Sequence, residues 1–472
     1  MINRFFRIIN LVLALILIGS SALAQKGDFD LDQTKKVLTQ LIQKAMEDRG
    51  VPSISIALVK EDKIVWKAAF GYANVRTQTP ATPETIYCTG STFKSVTATA
   101  LMQLVEQKKC KLKDPVNKFL GESRVQDRLQ SEKPVTIRHI LSHWSGLISG
   151  ANTKPIWGRE LPKTLSEMAA GLYSIRAPEK KWEYNNYAYG MAGLLVEKIS
   201  GKEYEAYMME NVLKPLGVET PHPVYPSAEM VELMALPYMP AGADGKPKPV
   251  AQVHYDVYPA GDIYLTAEDM ARFLGAHING GVFNGNRILS ENLAKQMHTP
   301  QYEGTYGFGF QIKKDKNGHT IIEHGGGIPG QSSYMMGDVD SRVGVYFMSN
   351  SGAPASIAKA AIQLLRGEEY IPPEKREFIS VDQKVLDTYA GKYELMGELI
   401  LDVTSEGGKL FLEIPDRPKR ELLAETETRF LVKGTDYSLE FVADDKGVIT
   451  HLNFEGAGAT IKAEKLNNQN QE

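Results

Sequence analysis

The sequence predicts an α/β (α+β) architecture: an antiparallel sheet built from both ends of one domain around a helical middle, followed by a small all-β barrel. Two observations carry this. Strand-like runs open the first 366 residues, helical patterns fill their middle and strand-like runs close them, an order explained by one sheet with helices on both faces. After a charged, proline-bearing stretch, the texture changes to short strands at close spacing, about eight of them, enough for a small barrel. At 472 residues the chain is longer than one compact core usually holds.

In chain order, residues 1–24 read as an export signal. Arg4 and Arg7 form a basic start, Ile8 to Gly19 an apolar core, and Ala22-Leu23-Ala24 a small-x-small cleavage site before Gln25. The apolar core is short for a span of about 20 residues, and no cysteine follows that could carry a lipid. The mature protein is therefore expected to be periplasmic or secreted, with no stable membrane anchor.

The first domain is assigned to 25–366. It begins with an amphipathic helix over Leu31 to Asp48, whose apolar face is Leu31, Val37, Leu38, Leu41, Ile42 and Ala45. Pro52 ends it. Ile54–Lys60 and Ile64–Phe70 form a hairpin, closed by Gly71-Tyr72-Ala73-Asn74. A helix of over twenty residues is expected between Cys88 and Cys110. Val135 to His143 reads as a short capped helix stopping at Ser145-Gly146, and Tyr187 to Ile199 as another ending at Ser200-Gly201. Thr266 to His277 carries a capping box from Thr266 and Asp269. Strands return at Gly307–Ile312, Thr320–His324, Gln331–Met336 and Val343–Met348, before a closing helix from Ser356 to Leu365. Residues 367–382 are a linker, and 383–472 form the barrel domain.

Composition narrows the function. A net charge of −3, with 24% charged and 43% hydrophobic residues, is ordinary for a globular protein and gives no basic surface for nucleic acid. The nine histidines are scattered along the chain, and there is no Cys-x-x-Cys, so neither a metal nor a cofactor is expected. The ends of a twenty-residue helix lie roughly 25–30 Å apart, too far for Cys88 and Cys110 to pair. Two free thiols are expected, with Cys88 a small buried residue before a turn.

The chemistry centres on Cys88-Thr89-Gly90-Ser91-Thr92-Phe93-Lys94-Ser95. Gly90 supplies turn freedom and Ser91 begins a helix. Ser91 and Lys94 stand three apart, so their side chains share one helix face. A serine hydroxyl needs a base, and a desolvated lysine with a lowered pKa can be one. The same spacing recurs at Ser356 and Lys359, on what reads as a packing helix. Three further stretches bear on Ser91. Tyr184-Asn185-Asn186 offers a phenol and an amide; the other Tyr-x-Asn, Tyr72 to Asn74, sits at a strand end. Glu323-His324-Gly325-Gly326-Gly327 lets backbone approach a ligand and aim N–H groups at an oxyanion. Leu141-Ser142-His143-Trp144-Ser145-Gly146-Leu147 places His143 at a helix end, in a structural role.

Ser91-x-x-Lys94, the Leu-Ser-His-x-Ser-Gly-Leu stretch, Tyr184-x-Asn186 and His324-Gly325-Gly326 together resemble, in order and spacing, the serine β-lactamase-related family. That family holds class C β-lactamases, D-alanyl-D-alanine carboxypeptidases, D-aminopeptidases and β-lactamase-like esterases. Pro259-Ala260-Gly261-Asp262 is similar to a family segment, and the C-terminal part resembles the lipocalin-like barrel appended to some members. The resemblance implies a β-lactamase/transpeptidase-like fold and an exported serine hydrolase that is acylated on Ser91. It implies that Lys94 and Tyr184 move the proton and that Asn186 orients Lys94 and the substrate. It further implies an oxyanion hole from Ser91 and Gly327 beside Gly326. His324 stands where true class C enzymes carry the lysine of a Lys-Thr-Gly strand. A largely neutral histidine there disfavours β-lactams and favours esters or peptides. Two smaller departures are Gln331, where an aromatic is common, and Glu179 in place of a glycine. The expected partner is a small-molecule or peptide substrate, and oligomeric state is left open. The alternatives are a true β-lactamase or carboxypeptidase, and a catalytically silent binding protein of this fold.

Overall fold

A computed structural model describes residues 29–466 except 156–162, 221–222, 240–245, 373–375, 396–398, 416–418, 436 and 457–458. The signal read over residues 1–24 lies outside the described residues. Among these, no helix is long and apolar enough to cross a membrane.

The helices that frame the site are α1 (Leu31–Arg49), α2 (Lys94–Glu106), α3 (Ile137–Ser142), α4 (Asn186–Ser200), α5 (Ala267–Ile278) and α6 (Ser356–Leu365). The strands of the main sheet are β1 (Ser53–Lys60), β2 (Lys63–Asn74), β3 (Thr79–Pro80), β4 (Gln311–Lys314), β5 (Thr320–Ile328), β6 (Gln331–Asp338) and β7 (Val343–Ser349). Their spatial order is β4-β5-β6-β7-β1-β2-β3, every pair antiparallel. The β1–β7 pairing, with Ile56 opposite Phe347, fuses the two ends of the domain into one sheet. Alternation assigns the faces. Ile54, Ile56, Leu58, Val345 and Phe347 pack under α1 and α6. Ala57, Val59, Tyr346 and Met348 face α2, α5 and the helical middle.

The caps follow local chemistry. Asp30 accepts from the Gln33 N–H at 2.9 Å to start α1. Thr266 and Asp269 make the expected capping box on α5.

Several expectations need correction. The helix between the cysteines is shorter: a 3-10 turn, Gly90–Phe93, leads into the thirteen residues of α2, and Cys88 lies on a two-residue strand. Both thiols are nonetheless free and buried. The short helix stops at His143, which itself takes the left-handed conformation (φ 65°), two residues before Ser145-Gly146. Gly307–Phe310 is not strand. Gly309 has φ +80°, and a Cβ there would stand 2.5 Å from the Ser95 Cα, so the segment folds tightly against α2. Finally, β5 continues through Gly325–Gly327 rather than ending at His324, and β2 runs on through Asn74.

The C-terminal domain is a closed barrel of eight antiparallel strands, β8 (Gly391–Leu395) through β15 (Ala459–Lys465), closed where Leu395 meets Ala463. A helix, α7 (Gln383–Tyr389), precedes it where only linker and strands were expected, and Tyr389 stacks on Phe441 at 4.3 Å. The buried barrel core is drawn from Leu386 onward, and the buried cores of the first domain from residues before Arg366.

Candidate active site

Ser91 sits in the 3-10 turn between the end of the main sheet and α2. As a first-turn residue, its N–H has no acceptor within the turn. Lys94 opens α2 and is fully buried. Its Nζ lies 3.0 Å from Ser91 Oγ and 2.8 Å from the Ala260 carbonyl oxygen. Burial holds the lysine pKa well below its ordinary value, which favours the neutral amine. A neutral amine can donate to Ala260 and still accept the serine proton.

Three glycines allow the segments around Ser91 to meet. Gly90 has φ +54°, and a Cβ on it would stand 2.7 Å from the Gly327 nitrogen. A Cβ on Gly261 would stand 2.4 Å from the Gly90 carbonyl carbon and 2.8 Å from the Ser91 nitrogen. A Cβ on Gly326 would stand 2.5 Å from the Thr89 oxygen. β4 pairs with β5 only from Thr320 to Glu323, so the Gly325–Ile328 edge faces the Ser91 turn without a strand neighbour on that side. The turn is further tied down by Thr89, whose N–H donates to Ile263, and by Thr92 Oγ1, 2.7 Å from the Tyr346 hydroxyl.

Tyr184 lies just before α4. Its ring centre is 4.9 Å from Lys94 Nζ and 4.4 Å from the His143 ring. Its hydroxyl is buried close to the Ser91 hydroxyl. Burial raises its pKa, opposed by the Ser91 hydroxyl, so the phenol stays protonated.

His143 explains the Leu-Ser-His stretch. Its Nδ1 accepts the Asn185 N–H at 3.1 Å. Asn185 in turn caps α4 through Ala188 N–H and donates to the Leu147 and Ile148 carbonyls. The loop after α3 thus fixes the residue between Tyr184 and Asn186. Burial, then the neighbouring Lys94 and His324, push the His143 pKa well down.

Two expected contacts are not made. Asn186 lines the cleft, but the described hydrogen bonds of Lys94 go to Ser91 and Ala260, not to Asn186. His324 turns away from the cleft. Its Nδ1 donates to the Gly325 carbonyl at 2.7 Å and its Nε2 accepts from the Tyr306 hydroxyl at 3.0 Å. Burial, aided by Lys94, pushes its pKa to about 3, so it is neutral and offers nothing to a substrate carboxylate.

The remaining motif residues separate cleanly. Ser356 and Lys359 are both exposed on α6. Tyr72 is 45% exposed on β2, and Asn74 accepts from the Arg76 and Thr77 N–H groups. Cys88 is buried with Sγ 3.3 Å from the Gly261 oxygen, and burial and Asp262 push its thiol pKa up. Gln331 accepts the Cys88 N–H at 2.7 Å. Glu179 has φ 67°, a left-handed position where a glycine is unstrained. Its carboxylate pairs with Lys133 and His139, and these partners hold its pKa down to about 2. Sequence reasoning missed the Ala260 carbonyl as the second partner of Lys94, because a backbone oxygen leaves no residue-type signal. It also missed Tyr306, whose only sequence signal is the set of nearby glycines, Gly304, Gly307 and Gly309.

Ser91 opens onto a cavity of about 910 Å³, whose walls include Asn186, Gly261, Asp262, Gly326, Gly327 and Gln331. Comparison with known proteins agrees with this geometry. A family described as Beta-lactamase matches residues 38–367, and one described as a domain of unknown function (DUF3471) matches residues 375–470. "Penicillin-binding protein 4*" of Bacillus subtilis (strain 168) is 24% identical over 452 residues, covering 90% of this chain and 98% of its own length. The solved structure of the octameric penicillin-binding protein homologue from Pyrococcus abyssi is 27% identical, with a TM-score of 0.60 over 91% of this chain and 99% of that one. EstCE1, a hydrolase with promiscuous acyltransferase activity, shares the fold at 20% identity, with a TM-score of 0.58 over 71% of this chain and 98% of that one.

Proposed function

Because this chain belongs to the beta-lactamase family, a family of serine hydrolases, we propose that it is an exported enzyme that hydrolyses an ester or amide through an acyl-enzyme on Ser91. The observation that carries this is the fully buried Lys94 amine, 3.0 Å from Ser91 Oγ. Lys94 takes the Ser91 proton as Oγ attacks the carbonyl carbon. The developing oxyanion is held by the N–H groups of Ser91 and Gly327, in a turn that three glycines let close without side-chain interference. Tyr184, a neutral phenol beside Lys94, donates toward the leaving group, and Asn186 orients the substrate from the cleft wall. Water then attacks the ester on Ser91, and the same groups return the proton. Export rests on residues 1–24.

A second reading is acylation by a β-lactam or a D-alanyl peptide, favoured by the name of the Bacillus relative. Against it stands the buried, neutral His324, which leaves that position of the cleft without a cation.

The test is labelling with a fluorophosphonate, followed by mass spectrometry of the modified peptide. Label on Ser91 that is lost in Ser91→Ala supports the reading; label on Ser356, or on no serine, overturns it. Turnover of p-nitrophenyl esters, a chromogenic cephalosporin and D-alanyl peptides side by side separates the two readings.

A further inference from the structure

We propose that one end of the C-terminal barrel forms the far wall of the substrate cleft and takes an extended apolar group of the substrate. The substrates are then esters or amides with a medium-chain acyl or alkyl substituent. The apolar subsite stands on the cavity itself; the reaction it serves rests on the serine-hydrolase reading above.

The cavity that holds Ser91 and Gly327 is also walled by Leu399, Leu412, Ile414, Val432 and Phe454 of the barrel. These residues share one end of it. Leu401, Val403, Leu410, Leu412, Phe430, Val432 and Leu452 form the buried barrel interior. Stepping by two along each strand, Leu399, Ile414 and Phe454 are the next inward positions at one rim. The register puts them together: Leu395 opposite Leu399, Leu412 opposite Arg420, Leu422 opposite Val432, and Leu439 opposite Phe454. The cavity therefore reaches the mouth of the barrel and not its outer wall. Leu412 and Val432, each 3% exposed, form part of its lining.

On the hydrolytic side, Met239, Val250, Ile328 and Tyr334 line the same cavity. A volume of about 910 Å³ is far more than a D-alanyl or acetyl group fills, and stands at the upper end of the roughly 300–1,000 Å³ of small-molecule sites. Each methylene taken from water is worth about fourfold in binding, so a chain reaching the barrel gains strongly over a short one.

The test compares p-nitrophenyl octanoate with p-nitrophenyl acetate on the full chain. The variants are Ile414→Asp and Leu399→Asp, with Ile414→Val as the conservative control and circular dichroism to monitor the barrel. The expected result is an octanoate-to-acetate ratio of kcat/KM lowered about tenfold or more in each Asp variant, and lowered far less in Ile414→Val. Calorimetric binding of octanamide to the Ser91→Ala chain supplies a readout without turnover, expected to weaken about tenfold with Ile414→Asp added. An unchanged octanoate-to-acetate ratio in folded variants, together with no octanamide binding, overturns the subsite even if Ser91 is labelled. Octanamide binding that depends on Ile414, in a chain whose Ser91 no phosphonate labels, keeps the subsite and overturns the hydrolase.

Discussion

Lys94 Nζ lies 2.8 Å from the Ala260 carbonyl oxygen and 3.0 Å from Ser91 Oγ. One N–H of a neutral amine satisfies the carbonyl, and its lone pair is left for the serine proton. Burial lowers the lysine pKa, so the neutral form is reached at lower pH than for a free lysine. On this account kcat/KM for a neutral ester rises with pH through the depressed lysine pKa and then levels off. A pH–rate profile still climbing through pH 10.5 would contradict it. Lys94→Arg keeps a cation that cannot be deprotonated, and should lose at least about 10³-fold in kcat/KM.

Gly261 tests the close approach around the nucleophile. Its φ is +150°, and a Cβ would stand 2.4 Å from both the carbon and oxygen of the Gly90 carbonyl. Backbone cannot give way as a flexible side chain can. Gly261→Ala should therefore move the Ser91 turn off the Gly327 edge. A displaced oxyanion donor costs about 10²–10³-fold, and acylation rates by stopped-flow should fall by that much while the chain stays folded. Wild-type acylation in Gly261→Ala would mean the turn has slack that the geometry denies.

Much of this was legible in the sequence, for identifiable reasons. A single sheet joining both ends of the domain could be read because β1 and β7 are mostly apolar runs, buried on both faces, and the barrel because its strands alternate between turns. Ser91 and Lys94 could be told from Ser356 and Lys359 by the glycine turn before the first pair. What stayed hidden depended on side-chain direction. His324 follows Glu323 on a strand, and one residue of register decides whether its ring meets Tyr306 or the cleft. The role of Glu179 was equally invisible, because a left-handed φ at a non-glycine residue leaves no pattern. The barrel's part in the cleft depends on how two separately cored domains meet, which no local periodicity encodes.

Behind α2, His277 Nδ1 and His298 Nε2 are 3.0 Å apart, both rings buried against Phe310. Burial pushes the His298 pKa to about 3 and that of His277 well below its ordinary value. The unfolded chain titrates these groups near 6.5, so between about pH 6.5 and 3 it binds more protons than the folded one. Stability is then fully present above pH 6.5 and is lost as pH falls through that window. For His298 alone, the loss between pH 6.5 and 5 is about 1.5 kcal/mol. His298→Gln should be less stable at pH 7 but flatter in acid, by about that amount, in urea titrations at the two pH values. Parallel losses in parent and variant would show that His298 already takes up a proton in the folded state.

The last prediction concerns how Tyr184 is held. His143 has φ 65°, and its Nδ1 accepts the buried Asn185 N–H at 3.1 Å. If His143 positions Tyr184 and takes no proton itself, what matters is an acceptor at Nδ1 on a residue that tolerates a left-handed backbone. Asparagine meets both needs: its side-chain oxygen can stand where Nδ1 does, and it is among the residues enriched at positive φ. Phenylalanine meets neither, and leaves the Asn185 N–H unpaired at a cost of about 1–3 kcal/mol. His143→Asn should keep kcat/KM within about tenfold of the parent, with the pH–rate profile unmoved. His143→Phe should lose about 10²-fold or more and unfold at lower urea. A histidine acting as general base would give another outcome: both variants would fall together, and the acid limb of the profile would shift in His143→Asn.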